Sequence, residues 1–340
     1  MRAVVYTESG GSSVLELVER ESAEPGPGQV RVRIVRAGVN PTDWKFRAGA
    51  MGELAFPEIV PGQDGSGVID SVGPDVTDLA VGDRVWTMLA QHTRPGGTAQ
   101  EHVVLPVANV TALPDAASYD VGASLGVPAV TAHRALTTSE DGPDRLAPGA
   151  LAGLTVLVSG GAGAVGNAAI QLASWAGATV VSTVSSDEKA VLARAAGAQH
   201  VVNYREGDAA AAIRDLAPDG VDIVVEVAPA QNLRLDLQVI KSRGTIAIYA
   251  NNGGDEITLS VRETFSTNAR FQWVLLYTVG EPALRAAAED ITAAVADGAY
   301  GVGEEHGLPV HHYPLGRAGE AHSAVEDGAI GKVLIDVADA

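Results

Sequence analysis

Gly161, Gly163 and Gly166 stand in G-x-G-x-x-G spacing within Ser159-Gly160-Gly161-Ala162-Gly163-Ala164-Val165-Gly166. Residues of this type at this spacing bind a diphosphate. The first glycine permits a tight turn, the second lets backbone approach a pyrophosphate, and the third lets a helix pack on a strand. The helix that follows turns its free N–H groups toward anionic oxygen. Glycine-rich turns are common, so the flanks decide the weight of the pattern. Thr155-Val156-Leu157-Val158 before it is an apolar, β-branched run, and Val165, Ala169 and Leu172 after it fall on one helical face. The pattern predicts strand, phosphate-binding turn and helix, holding a dinucleotide.

A second group lies at the end of the next apolar strand, Thr179–Val184. A carboxylate about 20 residues past the glycines binds the ribose 2′-OH of NAD. Here the strand runs into Ser185 and Ser186, small hydroxyls, with Lys189 one turn later to meet a 2′-phosphate. This favours NADPH, while Asp187, slightly late in position, leaves NADH open. A purely structural reading competes: Ser185-x-x-Glu188 as a helix capping box with Lys189 a solvated first-turn residue. The chain has no cysteine, which removes disulfides, thiolate nucleophiles and cysteine-ligated metals. Its eight histidines form no His-x-x-x-His pair, and the adjacent His311 and His312 would point to opposite faces of a strand. No metal site is expected.

The elements that must position these residues read as two domains, as 340 residues with 46% apolar content allow. Residues 1–123 are β-rich, with short strands at Ala3–Tyr6, Gln29–Val35 and Gly67–Val72 separated by Pro/Gly turns. From 124 the chain alternates strand and helix: strands at Thr179–Val184, His200–Val202, Val221–Glu226 and Thr245–Tyr249, and a helix over Asp187–Ala196. Alternation of this kind predicts a parallel, doubly wound sheet, spanning 124–273. The tail, 274–340, holds an alanine-rich helix at Glu281–Ala296 and a last strand at Lys332–Val337, and Thr137–Gly149 reads as an exposed loop.

Acidic residues outnumber basic ones by 42 to 23, a formal charge of −19, which repels nucleic acid and acidic membrane surfaces. No apolar run approaches the roughly 18 residues of a membrane span. The polar Thr7-Glu8-Ser9-Gly10 follows the first strand too soon for a signal peptide, so a cytoplasmic location is expected.

The chain as a whole resembles the zinc-independent branch of the medium-chain dehydrogenase/reductases, the quinone oxidoreductases of zeta-crystallin type. The resemblance rests on Gly38-Val39-Asn40-Pro41, Pro61-Gly62-Gln63-Asp64-Gly65-Ser66-Gly67, Gly82-Asp83-Arg84-Val85, Pro128-Ala129-Val130-Thr131-Ala132 and the glycine turn. It continues through Asn203-Tyr204-Arg205-Glu206, Val225-Glu226 with Asn232-Leu233, and Gly331-Lys332-Val333. It implies a GroES-like β-rich catalytic domain (1–123, resumed at 274–340) around a Rossmann domain, with the active site in the cleft between them.

Zinc-dependent relatives place a cysteine and a histidine where this chain has Asn40 and Gln63. Neutral amides are poor zinc ligands beside thiolate and imidazole, which argues against zinc-assisted alcohol oxidation here. The resemblance also assigns cofactor contacts: Ala164 and Val165 through backbone to the pyrophosphate, Tyr204 near the 2′-phosphate, and Asn232, Tyr249, Ala250, Asn251, Val274 and Leu275 along the nicotinamide half. Thr131 and Lys332 fall at cofactor-proximal positions. Gly328 stands where some bacterial relatives carry a phosphate-binding arginine, a departure from the pattern. Asn40–Arg47 would face the nicotinamide, with Lys45 as the donor that stabilises negative charge on a substrate oxygen. Asn40 would bond the substrate carbonyl or cap the loop, Asp43 would order it, and Gln63 would make a polar contact. Trp44, Phe46 and Met51 are candidates for the walls of an apolar slot.

The expected activity is NADPH-dependent reduction of quinones or α,β-unsaturated carbonyls by a homodimer joined near Phe271-Gln272-Trp273. Two alternatives stay open: an enoyl-thioester reductase of polyketide or fatty-acid type, and a non-catalytic NADPH-binding protein with a structural or RNA-binding role.

Overall fold

The computed structural model describes residues 1–339. They divide into two compact units, Met1–Val127 together with the segment from Val310 onward, and Pro128–Pro309.

The first unit begins with an antiparallel hairpin of β1 (Arg2–Val5) and β2 (Glu16–Glu19). Next comes β3 (Gln29–Val39), in which Val30, Val32 and Ile34 are buried while Gln29, Arg31 and Arg33 are half-exposed. That period of two puts one face of the strand in the core. The short helix α1 (Pro41–Arg47) follows directly, with proline at its first position, where no N–H is needed. β4 (Asp64–Val72), β5 (Arg84–Thr87), β6 (His102–Pro106) and β7 (Val110–Ala112) build the sheet, and α2 (Tyr119–Gly122) and α3 (Gly126–Leu136) lead out of it.

The second unit alternates strictly: β8 (Thr155–Ser159), α4 (Ala164–Trp175), β9 (Thr179–Val184), α5 (Asp187–Ala195), β10 (His200–Asn203), α6 (Ala209–Leu216), β11 (Val221–Glu226), α7 (Pro229–Val239), β12 (Ile240–Ile248), α8 (Val261–Phe265), β13 (Arg270–Trp273) and α9 (Glu281–Ala296). All six strands run parallel, in the order β10-β9-β8-β11-β12-β13. Renumbered within the unit this is 3-2-1-4-5-6, the order of a dinucleotide-binding sheet. Central strands covered on both faces form near-continuous apolar runs; Val156, Leu157, Val158, Val180, Val181, Ile223, Val224 and Val225 are all fully buried.

The chain then returns to the first unit through β14 (Val310–Pro314), α10 (Ala318–Glu326) and β15 (Lys332–Asp336). The sheet order there is β14-β15-β3-β4-β5-β7, with β6 also on β3, and every pairing except β14–β15 is antiparallel.

Two expectations change and a third gains a detail. The return lies at Val310, not at residue 274. Side-chain bonds hold 274–309 to the second unit: Gln171 of α4 grips Gly301 through Nε2 to its carbonyl (3.0 Å) and through Oε1 from its N–H (2.9 Å). The Thr137–Gly149 segment is a loop exposed over most of its second half, as expected, and it is pinned at one point. Leu146 is buried, its N–H donates to Asp290 Oδ2 of α9 (2.7 Å), and Arg145 donates to the same carboxylate. Finally, β12 starts at Ile240 and stops before Tyr249; its polar opening, Lys241-Ser242-Arg243, is carried past a register shift by pairing of Val221 with Ile240.

Candidate cofactor and active site

The glycine turn joins β8 to α4, and Gly163 is the residue that caps the helix. The left-handed conformation of the tight turn belongs to Gly160 (φ +70°), not to Gly161 as the motif predicts. Gly161 is required for another reason: a Cβ there would lie 2.1 Å from Ser182 Oγ and 2.7 Å from Ile170 Cδ1. At Gly166 a Cβ would meet the Gly160 carbonyl oxygen at 2.4 Å, so the third glycine does let α4 press onto the turn. At Gly163 only Gly160 O comes within reach, at 3.4 Å. Space is left beside Gly163, Ala162 is buried beneath, and the N–H groups of Ala164, Val165 and Gly166 have no intrahelical partner. The turn therefore fits a diphosphate.

At the end of β9 the helix cap is Ser186, whose Oγ accepts from Lys189 N–H at 3.3 Å, not Ser185 as the capping-box reading holds. Ser185 is left to accept from Lys189 Nζ at 3.2 Å. A hydroxyl and an ammonium thus stand together at the strand end, while Asp187 is exposed on the first turn of α5. Tyr204 follows β10, its N–H bonded to Val184 O (3.0 Å) and its ring half-exposed.

Glu226, at the end of β11 and wholly buried, is a hub that the sequence reading quotes without a role. Its Oε2 accepts from Ser159 Oγ (2.6 Å), and its Oε1 from Asn232 Nδ2 (3.0 Å) and from the Ala228 N–H. Its carbonyl accepts from Tyr249 N–H (3.1 Å), and burial, then the Glu226 charge, pushes the Tyr249 hydroxyl pKa up. Ala250 and Asn251 follow, the latter bonded to Asp255. Val274 is buried with its N–H on Ile248 O (2.7 Å), Leu275 is half-exposed, and Thr131 is buried within α3. Glycine turn, Ser185/Ser186, Tyr204, Asn232, Tyr249–Asn251 and Val274/Leu275 come after successive strands of one parallel sheet. They therefore gather at its C-terminal edge, where such sheets bind ligands.

In the first unit, sheet register assembles a buried polar knot. Val333 of β15 pairs with Val39 of β3, and Gly38 pairs with Asp64 of β4, which brings Lys332, Asn40 and Asp64 side by side. Lys332 Nζ donates to Asn40 Oδ1 (2.8 Å) and Asp64 Oδ2 (3.3 Å), and Asn40 Nδ2 donates to the same Asp64 oxygen (2.7 Å). Asp64 Oδ1 accepts the Val127 N–H at the start of α3 (2.7 Å). Asn40 N–H donates to Asp43 Oδ2 (2.7 Å), closing the cap of α1. Burial, then the neighbouring Asp64, pushes the Asp43 carboxyl up to about 7, and burial raises Asp64 against the pull of Lys332 and Asn40. Lys332, expected beside the cofactor, is thus 1% exposed with its ammonium spent on Asn40 and Asp64. Lys45 stands outside the knot, half-buried, its Nζ 5.9 Å from the Trp44 ring centre. The helix is anchored by Arg47, fully buried, which donates to Gly10 O (2.9 Å) and Glu326 Oε2 (2.8 Å).

Beside α1 lies a cavity of about 200 Å³, lined by Tyr6, Phe46, Met51–Phe56, Ile59, Gln63 and Gln91–Thr93. Two of the three expected wall residues, Phe46 and Met51, line it; Trp44 does not. Gln63 Nε2 donates to Gln91 Oε1 (3.0 Å), and Gln63 Oε1 accepts the His92 N–H (3.1 Å). Gln91 carries no motif, and nothing in the sequence points to it. Among the described residues no three His, Cys, Asp or Glu side chains cluster to hold a metal. His311 and His312 lie on β14 and bond Ile330 O and Asp336 Oδ1, each at 2.8 Å.

Residues 26–115 match the alcohol dehydrogenase GroES-like domain family, and residues 164–293 match the family described as zinc-binding dehydrogenase. The quinone oxidoreductase of Rattus norvegicus is 32% identical over 98% of this chain and 97% of its own length. The chain belongs to the medium-chain dehydrogenase/reductase family, among the quinone oxidoreductases. It is an oxidoreductase with a GroES-like domain and a Rossmann-type sheet. Solved structures of this family include an NAD-dependent alcohol dehydrogenase (31% identity, TM-score 0.83, covering 99% of this chain and 100% of that one). Another is a mycobacterial protein complexed with NADPH (29%, TM-score 0.81, 98% and 99%). Relatives thus use either cofactor, and the choice rests on this chain's own residues. No helix among the described residues is long and apolar enough to cross a membrane.

Proposed function

We propose that this protein is an NADPH-dependent, zinc-independent reductase of quinones or α,β-unsaturated carbonyls. The observation that carries the reading is the Ser185–Lys189 pair at the end of β9, where an NAD enzyme would present a carboxylate. When bound, NADPH supplies the hydride. The turn through Gly161, Ala162 and Gly163 and the first N–H groups of α4 hold the diphosphate, and Ser185, Ser186, Lys189 and Tyr204 take the 2′-phosphate. Asn232, Tyr249, Ala250, Asn251, Val274, Leu275 and Thr131 line the nicotinamide half.

Lys45 donates to the oxygen of the acceptor and stabilises the negative charge that develops there; solvent or Lys45 delivers the proton. Asp43 acts by capping α1 and so fixing the segment that carries Lys45. Asn40 and Gln63 stand where zinc-dependent relatives place ligands, and both amides are engaged with protein partners instead. A homodimer through the open edge of β13 accords with the exposure of Trp273 (58%) and Phe265 (76%).

The test follows the loss of reduced-nicotinamide absorbance after chelator treatment, with NADPH or NADH, against a benzoquinone, phenanthrenequinone and a simple enone, with Lys45→Ala in parallel. Turnover that survives chelation, prefers NADPH and falls in the variant is expected. NADPH binding without oxidation by any acceptor refutes the reading and points to thioester substrates or a non-catalytic role.

A further inference from the structure

The cavity beside α1 carries more than a place in the fold. An engineered cavity of about 150 Å³ accepts benzene, so a space of about 200 Å³ suits one six-membered ring with small substituents. Phe46, Leu54, Phe56 and Ile59 give it apolar walls. Its polar end has a fixed sense. The His92 N–H can only donate, so it fixes Gln63 with Oε1 toward itself and Nε2 toward Gln91. That in turn fixes Gln91 with Oε1 toward Gln63, leaving its Nε2 a single long contact to Arg94 O (3.4 Å). Each amide oxygen is turned to a protein donor, and each amide nitrogen keeps a hydrogen to give.

We propose that this cavity is a binding subsite for a single neutral ring bearing a carbonyl, with Gln63 and Gln91 donating to its oxygen. The inference rests on the reductase reading and narrows its substrate class: monocyclic quinones and cyclic enones rather than fused-ring quinones. Glu53 on the lining disfavours anionic rings. Gln91 is the specificity-determining residue, acting on the class of ligand rather than on the chemistry.

The experiment measures dissociation constants of 2,6-dimethyl-1,4-benzoquinone and m-xylene by ligand-detected NMR on the full chain saturated with NADP⁺. The absence of cysteine removes thiol addition to the quinone. The wild type should bind the quinone about 10-fold more tightly than the hydrocarbon, the effect of a net hydrogen bond or two. Gln91→Leu, which removes the donor, and Gln91→Glu, which keeps the acceptor for Gln63 but removes the N–H, should both lose that preference. Retained m-xylene binding shows that the cavity is intact in each variant. A wild type without preference, or variants that keep it, overturns the proposal. Quinone turnover with KM and binding unchanged in both variants overturns the subsite and leaves the reductase reading standing. Quinone binding lost in the variants, but no NADPH oxidation by the wild type, supports the subsite and refutes the reductase reading.

Discussion

Replacing Lys189 by alanine tests the cofactor assignment through one atom. Nζ is held 3.2 Å from Ser185 Oγ, at the strand end that the proposal assigns to the ribose 2′ substituent. A hydrogen bond to a charged group contributes about 1.5–3 kcal/mol. Lys189 is half-exposed, so solvent screening places it at the lower end. About 1.5 kcal/mol corresponds to roughly 10-fold in affinity. Lys189→Ala should therefore weaken NADPH about 10-fold and leave NADH unchanged, since NADH has no phosphate to lose. Titration of bound reduced-nicotinamide fluorescence reads both constants. Salt supplies a second readout: screening acts over about 8 Å at physiological ionic strength, so NADPH affinity of the wild type should fall with salt more steeply than that of the variant. Lys189→Arg should keep most of the preference. Equal weakening of both cofactors would show that the Lys189 side chain does not read the 2′-phosphate, and no change in either would place the phosphate elsewhere; either result refutes the assignment.

Gly166→Ala drives a Cβ to 2.4 Å from Gly160 O, and should cost about 1–3 kcal/mol, at about 2–4 °C of melting temperature per kcal/mol. Gly163→Ala should leave the melting temperature unchanged and weaken dinucleotide binding, which calorimetry separates from stability. Burial alone would raise the Asp290 carboxyl, but hydrogen bonds from His133, Arg145 and the Leu146 N–H outweigh it and hold it down at about 2. That carboxylate stabilises the fold fully above the ordinary value of about 4 and loses its contribution as pH falls from there toward 2; Asp290→Asn should flatten this part of an acid-denaturation curve. Asp43 has the opposite sign. Its carboxyl is pushed up to about 7, so the folded state holds an extra proton between about 4 and that value, and a stability cost grows across this window and is complete above it. Asp43→Asn keeps an acceptor for the Asn40 N–H, so its melting temperature should match wild type near pH 4 and exceed it at pH 8.

What the sequence shows reliably is local. The Glu281–Ala296 helix is read with its bounds because sixteen residues free of interior glycine, with proline only in the first turn, obey one period and stop before Gly298. β9 and β11 are read whole because each is a short run dominated by β-branched apolar residues, as strands covered on both faces are. Even the local errors are small. The left-handed residue is Gly160 rather than its neighbour, and the cap is Ser186 rather than Ser185, because adjacent glycines or serines look alike until the backbone selects one.

The candidate site itself divides along the same line. Its glycine turn was legible: a tight strand-to-helix turn needs a glycine wherever backbone or φ leaves no room for Cβ, and that demand is written in consecutive residues. The knot of Asn40, Asp64 and Lys332 was not, and neither was the Gln63–Gln91 pair. Lys332 is 292 positions from Asn40, and the sequence reads it as a cofactor-proximal lysine at the start of a strand, with nothing that ties it to Asn40 or Asp64. Only the register of β15 on β3 and of β3 on β4 puts its ammonium between an amide and a carboxylate. Composition and spacing determine what each segment is able to form. Which distant charge neutralises which, and which amide faces a cavity, is decided when the sheets pair, because a shift of one residue turns every side chain to the other face.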